Sequence, residues 1–351
     1  MRFPKSMNAA ILVGQNKPLV VDRVELPREL EVGQVLVKIH CSGICGSQLG
    51  EIDGAKGEDK YLPHLLGHEA SGIVQSVGAG VKFVKPGNHV VLHWRKSQGI
   101  ESIPPRYTWN GKPLNAGLIA TFNDYAIVSE NRVTRVDATT DMEIASLFGC
   151  AVTTGFGVAE NNAKIKLGES VVVFGAGGVG LNIVQAANLL SAYPIIAVDL
   201  HDDRLELAKA FGATHTINSN KADAKAKIKE VLGDQGVDAF IDNTGQPAII
   251  EMGYDLTSSK GRVVLVGVPR KGNTVNIYSL PLHFGKTISG SHGGESIPHE
   301  DIPRYQKLLD AGRIQLKPLI TDYFLLSEIN TAIQKMRDGE ITGRCLIKMD
   351  N

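Results

Sequence analysis

Val171-Val172-Val173-Phe174-Gly175-Ala176-Gly177-Gly178-Val179-Gly180 is the stretch that decides the fold. Ser170–Phe174 reads as a strand buried on both faces, and residues 178–190 follow it as a helix. A G-x-G-x-x-G pattern gains its meaning from that strand-to-helix context. Gly175 permits the tight turn, Gly177 lets the backbone approach a pyrophosphate, and Gly180 allows close helix–strand packing. The helix N-terminus then offers free N–H groups and a positive dipole end to phosphates. Asp199 ends the next strand, Ile195–Val198. A carboxylate there accepts hydrogen bonds from ribose hydroxyls and repels a 2′-phosphate, which favours NAD, while Arg204 keeps NADP open. The competing reading is a plain βα turn followed by a solvated aspartate.

Outward from this turn, residues 204–211 read as a helix, and 238–241 and 262–268 as further buried strands. Strands alternating with helices mean βαβ units and a parallel sheet. The first 90 or so residues differ: short β segments at 9–13, 19–23, 34–40, 72–78 and 89–92 are separated by turns such as Lys85-Pro86-Gly87. They suggest a compact, barrel-like domain. Near the end, residues 302–311 and 326–336 look helical and 344–349 extended. Residues 93–123 hold both tryptophans, Trp94 and Trp109, with little periodicity, and read as a long ordered excursion.

At 351 residues two domains are the default. The formal net charge is zero, so no electrostatic footprint for nucleic acid or an anionic membrane exists, and a small molecule is the expected partner. Residues 1–7 lack the apolar stretch of a signal peptide, and no run approaches the roughly 20 apolar residues of a membrane span. Four cysteines, at 41, 45, 150 and 345, give no dense disulfide framework, which points to the reducing cytoplasm.

Cys45, His68 and Cys150 are each unremarkable alone: a cysteine is often a small buried hydrophobe, and a histidine a hydrogen-bonded core residue. Together, two thiolates, an imidazole and an open position suit a catalytic Zn²⁺. A Lewis acid paired with a nicotinamide is the equipment for taking hydride from an alcohol.

Linked motifs extend this reading. Gly43-Ile44-Cys45-Gly46-Ser47, Gly67-His68-Glu69-Ala70-Ser71-Gly72, Gly149-Cys150 through Thr154-Gly155, the glycine turn, Gly267-Val268-Pro269 and Gly343-Arg344 occur in sequence. In that order and spacing the chain resembles the zinc-dependent alcohol dehydrogenases of the medium-chain dehydrogenase/reductase family. The resemblance implies an α/β chain with a GroES-like, mostly-β catalytic domain at 1–151 and 293–351. A Rossmann domain with a doubly wound parallel sheet would occupy 152–292. It implies that Cys45, His68 and Cys150 bind zinc, that Glu69 is a nearby carboxylate able to approach the metal, and that Ser47 takes the substrate proton. Thr154, Gly175, Gly177, Gly178, Val179, Gly180, Asp199, Arg204, Val268 and Arg344 would bind NAD, with Arg344 on the phosphates. Trp94 would line the substrate pocket, and the assembly would be a homodimer or homotetramer; read separately from the residues, Arg95 on the excursion and His292 at the return from the Rossmann domain are candidates to face that pocket.

Three departures qualify the resemblance. Residues 93–123 contain no cysteine, so a single catalytic zinc and no structural zinc is expected, with Trp94 and Trp109 anchoring that lobe. Gln48 replaces the family's usual aspartate after Ser47, and Gly50 replaces a relay histidine. The resemblance implies an alcohol substrate, whether secondary, polyol or sugar-like. His93, Arg95, Lys96 and Arg106 read as solvated cations or, more sharply, as a set in which Arg95 or Arg106 meets an anionic group. The alternatives are a metal-free enone or quinone reductase on the same fold, which lacks the Cys/His/Cys set, and a non-catalytic NAD-binding protein.

Overall fold

The computed structural model describes residues 4–349. The chain divides into two compact units: one runs to Cys150 and resumes over Ile297–Ala311 and from Leu316, and the other comprises Ala151–Ser296 with Gly312–Gln315. The divisions at 150/151 and 296/297 compare with boundaries of 151/152 and 292/293 drawn from sequence.

The first unit is mostly β. Its central strand, Gln34–Gly43, is buried on both faces: Val35, Val37 and Ile39 enter one core, while Leu36 enters a second. Alternating side chains of one strand thus serve two apolar clusters. Gln34–Gly43 pairs antiparallel with Glu69–Val77 on one side and Arg344–Lys348 on another. That pairing matters for function. It brings the end of the central strand, just before Cys45, beside the start of Glu69–Val77, just after His68, and beside Arg344.

The excursion at 93–123 is more regular than its sequence suggests. Tyr107–Trp109 and Lys112–Leu114 form a hairpin that joins the strand Val20–Glu25. Strands of three residues are too short to show a period. Tyr107 is buried and its hydroxyl accepts from the Ile127 N–H at 2.8 Å, while the Trp109 indole donates to Asp22 at 2.8 Å.

The second unit holds a six-stranded, wholly parallel sheet in the order His215–Asn218, Ile195–Asp199, Val171–Phe174, Val237–Asp242, Thr257–Leu265, Thr287–Gly290. The sequence direction reverses between Val171–Phe174 and Val237–Asp242. Open α/β sheets bind ligands outside the carboxyl ends of the strands at such a switch point. Two helices were not read from the sequence, Ala224–Leu232 and Pro247–Leu256. Both carry start signals: Asp223 caps the first through Lys225 N–H and Ala226 N–H, and Pro247 opens the second. Among the described residues no helix is long and apolar enough to cross a membrane.

Candidate active site

Cys45, His68 and Cys150 converge in the mostly-β unit, with their ligand atoms all within 4.8 Å of one another. Cys45 leaves the central strand and precedes the helix Gly46–Ile52. His68 is delivered by Gly67, whose φ of +95° favours glycine, and any side chain there would meet Thr121 Oγ1 at 2.3 Å. Gly149 sets Cys150 in place, since a Cβ on it would lie 2.4 Å from the Leu92 carbonyl.

The donor set fits a metal ion. His68 Nε2 is buried and has no hydrogen-bond partner. An orphaned imidazole nitrogen facing two thiols is costly unless a cation takes its lone pair. The Cys45 thiol is held well below its ordinary pKa by its hydrogen bond from Cys150, against the opposing effect of burial, with further help from His68. Thiolate is the form that ligates.

Gln48 is almost fully buried behind this group. Its Oε1 accepts from the Cys45 N–H at 2.7 Å, and its Nε2 lies 3.2 Å from His68 Nδ1. To stand in for the usual aspartate this amide would have to accept from the imidazole, but its oxygen is already taken by Cys45. A metal on Nε2 requires a proton on Nδ1 and an acceptor for it. The amide must then turn, leaving the Cys45 N–H unpaired. A carboxylate of the same shape accepts from both groups at once. Gln48→Glu is therefore expected to slow zinc loss to a chelator about tenfold. Release followed with a chromophoric chelator checks this, and equal or faster loss contradicts it.

Glu69 and Arg344, expected near the metal and at the cofactor phosphates, meet each other. Glu69 is fully buried and its carboxylate is ion-paired with the Arg344 guanidinium, itself only 5% exposed. The carboxylate is thus committed to arginine and stands outside the three-residue metal group. Arg344 correspondingly points at Glu69 in the interior of its own unit. The slot exists because Gly43 lacks a side chain: a Cβ there would lie 2.7 Å from Glu69 Oε1 and 3.1 Å from Arg344 Nη2.

Ser47 is half-buried in the first turn of Gly46–Ile52. The Trp94 ring meets His68 edge-on at 6.4 Å, and the Arg95 guanidinium lies 5.7 Å above Trp94. His93 does not belong with the cations of the excursion. It is fully buried, donates from Nδ1 to the Arg95 carbonyl at 2.8 Å and accepts at Nε2 from Thr134 at 2.9 Å. Burial pushes its pKa down to about 4, so it is a neutral core residue. Lys96 pairs with Glu101 at 3.5 Å, and Arg106 is exposed.

The second unit carries the glycine turn. Gly175 has φ +93°, and a Cβ on Gly180 would sit 2.0 Å from the Gly175 carbonyl, whereas one on Gly177 would meet nothing within 4 Å. Turn, open approach and close packing are thus divided among the three glycines as a pyrophosphate cradle needs. Gly178 and Val179 open the helix Gly178–Leu189. Asp199 serves this turn directly: Oδ2 accepts from the Ala176 N–H at 2.7 Å, and Oδ1 from Leu200 N–H at 2.8 Å and His201 N–H at 3.1 Å. Arg204 stands 3.7 Å from the same carboxylate. Three main-chain donors occupy most of its acceptor capacity. Asn243, missed from sequence, closes the turn by donating to the Gly175 carbonyl at 3.3 Å, while its Oδ1 is buried with no hydrogen-bond partner. Thr154 is buried in the helix Ala151–Gly157, Val268 is 54% exposed beside Gly245, and His292 is exposed ahead of Gly293–Glu295.

Comparison with known proteins bears on both units. Residues 31–138 match the family described as the alcohol dehydrogenase GroES-like domain, and residues 178–311 match the zinc-binding dehydrogenase family. The S-(hydroxymethyl)glutathione dehydrogenase of Haemophilus influenzae is 32% identical over 363 residues, covering 95% of this chain and 94% of that protein. The chain belongs to the zinc-dependent alcohol dehydrogenases of the medium-chain dehydrogenase/reductase family. Among solved structures, this alcohol dehydrogenase is similar to benzyl alcohol dehydrogenase from Acinetobacter calcoaceticus, with TM-score 0.88, 31% identity, and coverage of 99% of this chain and 100% of that one. A zinc-binding-domain alcohol dehydrogenase protein from Burkholderia ambifaria gives TM-score 0.88 at 29% identity, covering 99% of each chain. The two units accordingly have GroES-like and Rossmann folds, and the protein is a zinc alcohol dehydrogenase using a nicotinamide cofactor.

Proposed function

We propose that this alcohol dehydrogenase exchanges hydride between NAD and a secondary, polyol or sugar-like alcohol, with one catalytic zinc held by Cys45, His68 and Cys150. The orphaned His68 Nε2 facing two thiols carries this reading. Bound there, zinc supplies a Lewis acid that lowers the pKa of an alcohol oxygen, as it does for water. Ser47 takes the released proton through its hydroxyl. Gly50 supplies no side chain to continue a relay, so that proton passes on through water or cofactor hydroxyls. Trp94 holds an apolar edge against His68 and excludes water. Glu69, tied to Arg344, balances the buried guanidinium and leaves the metal to its three ligands.

For the cofactor, Gly175, Gly177, Gly178, Val179 and Gly180 receive the pyrophosphate, and Asp199 places negative charge where a 2′-phosphate would sit. Arg204, partly neutralising Asp199, limits that preference. Thr154 and Val268 are assigned to the nicotinamide end. Arg95, stacked on Trp94, is the group positioned to recognise an anion on the substrate. The edge strand Thr287–Gly290, with exposed Tyr278, Leu280 and Phe284 close by in sequence, supports a homodimer, or a homotetramer built from it. Four cysteines, none in a disulfide, suit the cytoplasm.

The deciding experiment is a panel of neutral and anionic alcohols with NAD⁺, followed by NADH formation, together with zinc analysis of dialysed enzyme. About one zinc per chain and alcohol-dependent NADH are expected. Reduction of enones by metal-free protein, or no alcohol-dependent NADH with any member of the panel, would reject the proposal. Salt-insensitive affinity for small neutral alcohols would remove Arg95 from it.

A further inference from the structure

A second group of ligand-type side chains lies in the mostly-β unit, outside the Cys45, His68 and Cys150 set. Glu51 closes the helix Gly46–Ile52, Asp59 sits on the following loop, and His64 begins the strand His64–Leu65. Each offers one ligand atom, all within 4.8 Å of one another. His64 Nε2 is 2.7 Å from Asp59 Oδ2 and 3.9 Å from Glu51 Oε1.

The remaining polar atoms of the inner two residues are committed to the main chain. His64, 7% exposed, turns Nδ1 to the Leu65 carbonyl at 2.9 Å. Asp59 Oδ1 accepts from the Tyr61 N–H at 2.8 Å. A carbonyl can only accept, so Nδ1 carries the proton and Nε2 presents a lone pair to a carboxylate oxygen. Two acceptors this close require a cation between them, either a proton or a metal ion. Backbone-anchored outer partners are also the arrangement that orients metal ligands.

Glu51 favours the metal. A proton shared by His64 and Asp59 draws Glu51 only through charge, at 3.9 Å, whereas a divalent ion would take it as a third ligand. Tetrahedral zinc with nitrogen and oxygen ligands at about 2.0–2.1 Å sets them about 3.3 Å apart. The two separations fall on either side of that spacing, so adjustments of roughly 0.6 Å complete the site. The loop is held for it: Gln15 donates to the Gly57 carbonyl at 2.8 Å and accepts from the Asp59 N–H at 3.3 Å. The Glu51 side chain, 47% exposed, leaves an entry path.

We propose that Glu51, Asp59 and His64 form a second divalent-cation site, suited to Zn²⁺ or Co²⁺, that ties residues 53–63 to the helix bearing Ser47. With one imidazole, two carboxylates and no thiolate it is the weaker site, filled only by added metal, so dialysed enzyme still retains a single zinc.

Titration of the zinc-loaded enzyme with Co²⁺ tests this. The wild type takes up one further equivalent, without the thiolate-to-cobalt charge-transfer absorption that cobalt on Cys45 and Cys150 would give. His64→Ala loses that equivalent. Glu51→Gln, at an exposed position that spares the fold, binds it about tenfold or more weakly while keeping its zinc. No further uptake by the wild type, which leaves a simple imidazolium–carboxylate pair, or equal uptake by Glu51→Gln, overturns the proposal. A zinc-stripped sample reconstituted with cobalt reports separately: lack of the thiolate absorption there counts against the catalytic set and leaves this site untouched.

Discussion

Replacing His68 with alanine lowers kcat/KM for alcohol oxidation about 1,000-fold or more, while the affinity for NADH stays within about twofold of wild type. The loss follows from what the imidazole does. His68 supplies the one nitrogen of a three-residue set whose other members are thiols. Without it zinc is lost or misplaced, and a Lewis acid contributing several kcal/mol at the transition state goes with it. NADH binding is spared because the glycine turn and Asp199 belong to the other compact unit and share no residue with the metal set. Cys45→Ala behaves alike. Steady-state rates at saturating NAD⁺, NADH fluorescence titration and zinc content are the measurements. Undiminished turnover in either variant refutes the assignment, and joint loss of cofactor binding would mean the substitution had unfolded the protein.

The second large effect concerns Asp199. Its carboxylate accepts from three main-chain N–H groups, including Ala176 within the glycine turn. Those bonds fix the carboxylate in place for the ribose; hydrogen bonds from ribose hydroxyls to a charged acceptor contribute about 1.5–3 kcal/mol, so Asp199→Ala should raise the KM for NAD about 10- to 100-fold. NADP behaves differently. Removing the carboxylate abolishes its repulsion of a 2′-phosphate and frees Arg204, now 3.7 Å from Asp199, to meet that phosphate. The ratio of NAD to NADP efficiency therefore falls in the variant. A wild type that already prefers NADP, or a variant with an unchanged ratio, contradicts the role given to Asp199.

Much of the Rossmann unit is legible in Val171–Gly180, because a fully apolar strand running into three spaced glycines has few other uses. The metal set is legible only jointly: neither Cys45 nor His68 identifies itself alone. What the sequence hides are competitions for single atoms. Gln48 reads as a partner of His68, but the helix it caps gives its oxygen to Cys45 instead. The pairing of Arg344 with Glu69 is hidden as well, because the slot where they meet is opened by the missing side chain of Gly43, about 300 residues away in sequence. His93 stands beside Arg95 and Lys96 in the chain, yet it ends the strand His89–His93 and faces inward to Thr134. Burial of that kind depends on neighbouring strands, which a linear pattern does not record.

Anomalous diffraction at the zinc absorption edge, from crystals of enzyme carrying one equivalent of zinc, locates the metal. One strong peak is expected, about 2.3 Å from the sulfurs of Cys45 and Cys150 and about 2.0–2.1 Å from His68 Nε2. A peak elsewhere, or those three side chains turned apart with no metal among them, would contradict it.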